Sequence, residues 1–245
     1  MNRTCKNCGT LLNGAYCHHC GQAASTNRLN FKYLLEDIRN GLLQFDHGLL
    51  YTLKELILRP GDCIRNFIKG KRVRYFKPIS TLLLIATIYG IMKHYIETDL
   101  GLEVIDETGQ SIMTWMENHY ALTNLILLPI STFCSFVLFK KQGYNMAEHF
   151  VLNAYSASLQ LCIHIFILPI LFLFGYHGKP NFFVTYIVPT LDLFILGWCF
   201  TQFFNTIRIT KTILLILLMQ ILRYMILLLL IALVYLILTY LKPTL

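Results

Sequence analysis

Five stretches of this chain, at 78–96, 121–139, 149–175, 184–205 and 213–241, are apolar over lengths near the ~20 residues that a helix needs to cross a bilayer. No other feature narrows the fold as far, because a backbone inside hydrocarbon must satisfy its own hydrogen bonds, and a helix does so within one segment. Composition agrees. The chain is 56% hydrophobic and 14% charged, with a mean hydropathy of +0.55, which is too apolar for a soluble globule. The expected architecture is an all-α polytopic membrane protein with about five transmembrane helices over residues 78–245. A small polar head precedes them.

The head, residues 1–24, holds four of the eight cysteines in two matching runs, Cys5-Lys6-Asn7-Cys8-Gly9 and Cys17-His18-His19-Cys20-Gly21. In a Cys-x-x-Cys-Gly knuckle the turn faces both thiolates to one ion, and the glycine relieves the backbone where it turns back. Asn13-Gly14, between short apolar residues, predicts a hairpin that brings the knuckles together. Four soft thiolates suit a closed structural Zn²⁺ site at Cys5, Cys8, Cys17 and Cys20, with iron in the same sulfurs as the chemical alternative. A thioredoxin-like redox pair would need a surrounding βαβ pattern, which is absent. With no open coordination position, this metal would not be catalytic. The N-terminus shows no apolar signal segment, so the head is expected to stay in the reducing cytosol, where clustered cysteines read as ligands rather than disulfides. The other four cysteines are scattered singly and read as small packing residues.

Residues 25–77 form a polar linker followed by amphipathic helices and a basic junction. Phe31, Leu34, Leu35, Ile38, Leu42, Phe45 and Leu49 recur at helical spacing. A second helix is expected over 49–58, stopped at Arg59-Pro60-Gly61, and a third over 63–69 with Asp62 as its cap. Asp46-His47 invites an acid–base reading, but sequence neighbours on a helix point apart, so a local hydrogen bond is the plainer role. The junction Gly70-Lys71-Arg72-Val73-Arg74-Tyr75-Phe76-Lys77-Pro78 puts Lys71, Arg72, Arg74 and Lys77 beside the first apolar run, where they would face anionic lipid headgroups.

The net charge of +8 follows the same logic, since the cations cluster beside apolar runs. With the head inside, Arg65, Lys69, the four junction cations, Lys140, Lys141, Arg208 and Lys211 are cytoplasmic, and only Lys93, Lys179 and Lys242 lie outside. The first outer loop carries acidic residues without Lys or Arg. The expected topology is therefore N-terminus cytoplasmic and C-terminus periplasmic.

Ionisable groups inside a bilayer are costly, so each is a functional candidate. Asp192 in the fourth run and Arg223 in the fifth sit at similar depths and are expected to pair, with snorkelling of Arg223 towards the headgroups as the alternative. Asn153, Ser156, Gln160 and His164 make a polar stripe at helical spacing on the third run, able to glue helices together or to line a wet cavity. Pro129, Pro169 and Pro189 are candidate kinks.

The ordered set Cys5-x-x-Cys8-Gly9, Tyr16-Cys17-x-x-Cys20-Gly21-Gln22, Asp46-His47-Gly48, Thr52, Arg59-Pro60-Gly61, Gly70-Lys71-Arg72 and Tyr75-x-x-Pro78 resembles an uncharacterised family of Bacteroidota membrane proteins. Those proteins carry a zinc-ribbon-like N-terminus and a domain of unknown function. The resemblance covers about the first 85 residues, implies a bacterial inner-membrane setting, and supplies no activity. Lipid attraction alone would not require this order of residues, so the junction is expected to contact the head or the preceding helices in a defined way.

Two functional classes follow. One is a membrane-anchored binding, scaffold or regulatory protein whose zinc head meets a cytosolic protein partner. The other is a small-molecule or lipid transporter or channel component using Asp192, Arg223, Gln160 and His164; the lack of an internal repeat weighs against it. No His-Glu-x-x-His, Gly-x-Ser-x-Gly or phosphate loop occurs, so no catalytic residue is assigned. Residues 1–30 carry only Arg3, Lys6 and Arg28, too few cations for a nucleic-acid footprint.

Overall fold

The computed structural model describes residues 4–34, 48–98, 120–174 and 182–241, and all that follows refers to these. The helices are α1 (Leu49–Leu58), α2 (Pro60–Ile68), α3 (Pro78–Thr98), α4 (Tyr120–Phe139), α5 (Met146–Leu173), α6 (Val188–Phe203) and α7 (Ile209–Leu241). Among the described residues there are no strands, only two isolated bridges in the head.

Each expected apolar run is helical, but three segments are long and apolar enough to cross a membrane: Thr123–Gln142, Met146–Leu173 and Ile209–Leu233. The expected count of five spans is thus larger than these criteria support. In α3 the polar Ser80, Thr81, Lys93 and His94 dilute a 21-residue helix. The fourth run is divided between a π-turn over Phe183–Ile187 and the 16-residue α6. Pro189 begins α6 rather than kinking it, whereas Pro129 and Pro169 do lie inside their helices.

Helix α5 is the hub, packing on α3, α4, α6 and α2. Its 28 residues span about 42 Å, some 12 Å more than the ~30 Å hydrocarbon core. One end therefore has room to project beyond hydrocarbon, and the N-terminal part of α5 is where the short helices pack. Phe67 of α2 meets Tyr155 edge-on at 5.6 Å, and Leu56, Cys63, Ile64 and Phe67 share one buried cluster with Leu152, Leu159, Cys199 and Phe203. Helix α7 is peripheral. Only 11% of its most apolar window is buried by protein, against 39% in the other two spans, so lipid is left to cover it.

The second short helix begins at Pro60, not after Asp62. Proline is favoured in the first helical turn, and Asp62 instead pairs with Arg65 one turn on, at 2.5 Å. Gly61 is where α2 crosses α6: a Cβ there would come within 2.4 Å of the Gln202 carbonyl carbon. Arg65 seals the same crossing by donating to the carbonyls of Gln202 and Phe203, the ends of α6. Helix α2 closes in a Schellman turn. Gly70 adopts φ +101°, its N–H donates to Phe67 O, and Lys71 N donates to Asn66 O. Of the first amphipathic segment, residues 31–34 are helical; the rest of it, with Asp46-His47, lies outside the described residues, as do the first outer loop and Lys179.

Candidate metal centre

The two knuckles are near copies. In each, the amide of the first cysteine donates to the residue five positions on, Cys5 N to Thr10 O and Cys17 N to Gln22 O, both at 2.8 Å. The glycine amide returns to the first cysteine in each, Gly9 N to Cys5 O and Gly21 N to Cys17 O. Gly9 and Gly21 hold φ of +79° and +74°, a conformation that other residues adopt only under strain. The antiparallel bridges join Thr4 to Leu11 and Tyr16 to Ala23, one around each knuckle. The expected hairpin across Asn13-Gly14 is therefore replaced by two knuckle hairpins. Gly14 is not among the positive-φ glycines, so it is not in the type I′ turn such a hairpin calls for.

These turns converge the thiols of Cys5, Cys8, Cys17 and Cys20, whose sulfurs all lie within 4.8 Å of one another. Cys5 Sγ is 3.6 Å from Cys20 Sγ, and Cys8 Sγ is 3.5 Å from Cys17 Sγ. A tetrahedron of sulfurs about 2.3 Å from a central ion has edges of about 3.8 Å, so the cage fits a four-coordinate metal. Thr10 keeps Cys8 easy to ionise: hydrogen bonds with its hydroxyl, at 3.2 Å, and its backbone hold the Cys8 thiol down to about 6. Desolvation pushes Cys20 up to about 11. To hold a cation the cage would have to give up its thiol protons, and metal affinity would therefore rise with pH. His18 and His19 are not in the cluster.

The head is seated on the junction through Gln22, the residue after the second knuckle. Its side chain is buried; Nε2 donates to Gly70 O at 2.8 Å and Oε1 accepts from Arg72 N at 3.2 Å. Because Gln22 O also caps Cys17 N, one residue belongs both to the knuckle and to the seat. The defined contact expected of the junction is present. Arg72 is not simply a surface charge: its guanidinium stacks at 4.4 Å on Tyr33 and donates to Asn27 O at 3.0 Å. Lys71 and Arg74 are exposed and Lys77 is half-buried. Further along, Phe76 N donates to Thr52 Oγ1 at 2.7 Å, Tyr155 Oη donates to Phe76 O at 2.5 Å, and the Arg74 carbonyl passes so close to Gly48 that a Cβ there would lie 2.7 Å from its oxygen.

The linker is tied to the bundle by Arg28. It forms a two-pronged pair with Glu148, both contacts 2.7 Å, and also donates to Gly143 O at 2.8 Å. Glu148 completes a capping box with Asn145 at the start of α5, and Asn145 Nδ2 holds Leu29 O at 2.8 Å. Sequence reasoning missed this tie, although Asn145-x-x-Glu148 is a legible start signal.

The intramembrane residues gather differently from the expectation. Asp192 Oδ1 lies 2.9 Å from His164 Nε2, and its backbone oxygen accepts from Gln160 Nε2 at 3.0 Å. The close atoms of Asp192 and His164 lack hydrogen-bond alignment, and neither has another partner. No ion pair joins Asp192 to Arg223; the latter faces Tyr224, with Cζ 5.1 Å from the ring centroid. The polar stripe joins helices along its whole length: Asn153 donates to Ser135 Oγ of α4 at 2.7 Å, and Ser156 Oγ meets Cys199 Sγ of α6 at 3.1 Å. A buried His149 Nδ1 sits 3.2 Å from the same Ser135 hydroxyl, a contact no local sequence signal announced.

No curated protein matches the chain, and no solved structure does. Residues 46–90, from the end of the amphipathic region through α1, α2, the junction and most of α3, match a family model described as "Protein of unknown function (DUF3667)". The matched segment contains Gly48, Thr52, Gly70 and Arg72, which make the junction contacts described above, and Gly61 at the α2–α6 crossing, and it excludes the four knuckle cysteines. The similarity covers 45 of the 245 residues, and it lies in the two short helices, the junction and the first part of α3.

Proposed function

We propose that this chain is an integral protein of a bacterial inner membrane, of the Bacteroidota type its motifs resemble, and that its zinc-ribbon head is a binding or scaffold module for a cytosolic protein partner. Five spans, with the N-terminus cytoplasmic and the C-terminus periplasmic, accord with the excess of Lys and Arg on the head side. Zn²⁺ is the ion of choice for four thiolates in a closed cage.

One observation carries the reading. The head is not on a free tether; Gln22 and Arg28 fix it to the junction and to the start of α5, so it offers one face in one orientation. A rigid, metal-built surface held at the membrane suits recognition of a partner, since little ordering entropy is left to lose on binding. The test compares cytosolic proteins retained by full-length wild type and by Cys17→Ser in lipid discs. The reading predicts retained proteins that the variant loses; identical sets contradict it.

A second reading, passage of a small molecule or lipid, is favoured by the convergence of Gln160, His164 and Asp192 between α5 and α6. It places Arg223 outside the site. Release of entrapped solutes from proteoliposomes, unchanged between wild type and Asp192→Asn, would remove it.

A further inference from the structure

The linker and the junction line an open cleft of about 640 Å³, within the ~300–1,000 Å³ typical of small-molecule sites. Among the described residues its lining includes three cations, Arg28, Lys32 and Arg72, with Ser25 and Asn27 as polar neighbours, and no carboxylate. Arg28 is committed to Glu148, and among the described residues no carboxylate pairs with Lys32 or Arg72. Arg72 is also held in place. Tyr33 and Phe67 lie 4.4 and 5.6 Å from its Cζ, Gln22 fixes its backbone, and Asn27 O takes Nη2. Nε, buried, has no acceptor. A guanidinium fixed in one plane at an acid-free cleft is pre-organised for an oxyanion with several acceptor oxygens.

The cleft also lies at a telling height. Arg28, on its wall, donates to Gly143 O in the turn between the spans Thr123–Gln142 and Met146–Leu173. A turn between two spans lies outside hydrocarbon, within reach of lipid headgroups or of water. Cations that only set topology need no stacking and no cleft; exposed Lys140 and Lys141 in the same turn are of that kind.

We propose that this cleft binds a phosphate group, with Arg72 as its principal ligand and Lys32 as the second cation. The site requires the docked head but no protein partner, so it can stand or fall apart from the proposed role of the head. The phosphate belongs either to an anionic lipid or to a free phosphate in the cytosol, and two arms separate these sources. In one, full-length protein in a sugar detergent is titrated calorimetrically with inorganic phosphate. In the other, retention of phosphatidylglycerol against phosphatidylcholine is read by native mass spectrometry.

Arg72→Gln should weaken binding about tenfold, as loss of a charge-assisted hydrogen bond does, and Lys32→Gln about threefold. Lys141→Gln should leave it unchanged. Binding of inorganic phosphate with this pattern assigns a free phosphate; the pattern in phosphatidylglycerol retention alone assigns a lipid headgroup. Should Arg72→Gln misfold, the exposed Lys32→Gln still decides. Equal binding by Lys32→Gln, Lys141→Gln and wild type, or no binding of either probe, overturns the site.

Discussion

Replacing Gln22 by alanine isolates the link between head and membrane without touching a cysteine. The side chain is 6% exposed and makes two hydrogen bonds, to Gly70 O and from Arg72 N. Each neutral bond contributes about 1 kcal/mol net, and a buried group left unpaired costs about 1–3 kcal/mol. The neighbouring cleft admits water, which can satisfy part of the loss, so the lower end applies and the total comes to about 2 kcal/mol. At about 1.4 kcal/mol per factor of ten, the seat should open roughly thirtyfold more often. Hydrogen exchange read at the Arg72 amide, whose acceptor is Gln22 Oε1, reports loss of the seat, with the Thr81 amide inside α3 as an internal control. Metal content should be unchanged, because Gln22 serves the knuckle through its backbone. An Arg72 amide that exchanges at the wild-type rate in Gln22→Ala would refute the seat.

Gly61→Ala should destabilise the detergent-solubilised protein by at least about 1–3 kcal/mol, since its Cβ meets α6 backbone and cannot be absorbed by a rotamer change; a melting temperature equal to wild type would deny the α2–α6 crossing. For Arg28 and Glu148, a double-mutant cycle with Arg28→Gln and Glu148→Gln should show coupling of about 1 kcal/mol, kept small by the 62% exposure of Arg28; additive losses would mean the linker is not held there. A cycle on His164→Phe and Asp192→Asn should show non-additive changes in unfolding midpoint, whereas Asp192→Asn and Arg223→Gln should add; the reverse result would restore the pair expected from depth.

The comparison of sequence with structure separates local from distant information. Knuckles were readable because Cys-x-x-Cys-Gly encodes its own turn, down to the positive φ at Gly9 and Gly21. The C-terminal end of α1 is legible, since Arg59-Pro60 stops it; the start of α2 at Pro60 is not, because Asp62 offers a competing cap two residues on. For Asp192 the residue expected beside it is Arg223, but the side chain next to it is His164. Depth along two helices fixes height but not rotation, and a turn of about 100° per residue lets Arg223 face Tyr224 while His164 on α5 reaches Asp192. Gln22 reaches a junction 48 residues away, which no periodicity or spacing reports. The basic junction was half legible: its charges were plain, but the stacking of Arg72 on Tyr33 required the fold.

The central claim is that a metal in four thiolates builds the head that rests on the junction. Elemental analysis of purified full-length protein, paired with hydrogen exchange at Arg72, tests it most directly. The account predicts about one zinc per chain, lost in Cys5→Ser and Cys17→Ser together with protection of the Arg72 amide. A metal-free protein whose Arg72 amide stays protected would contradict it.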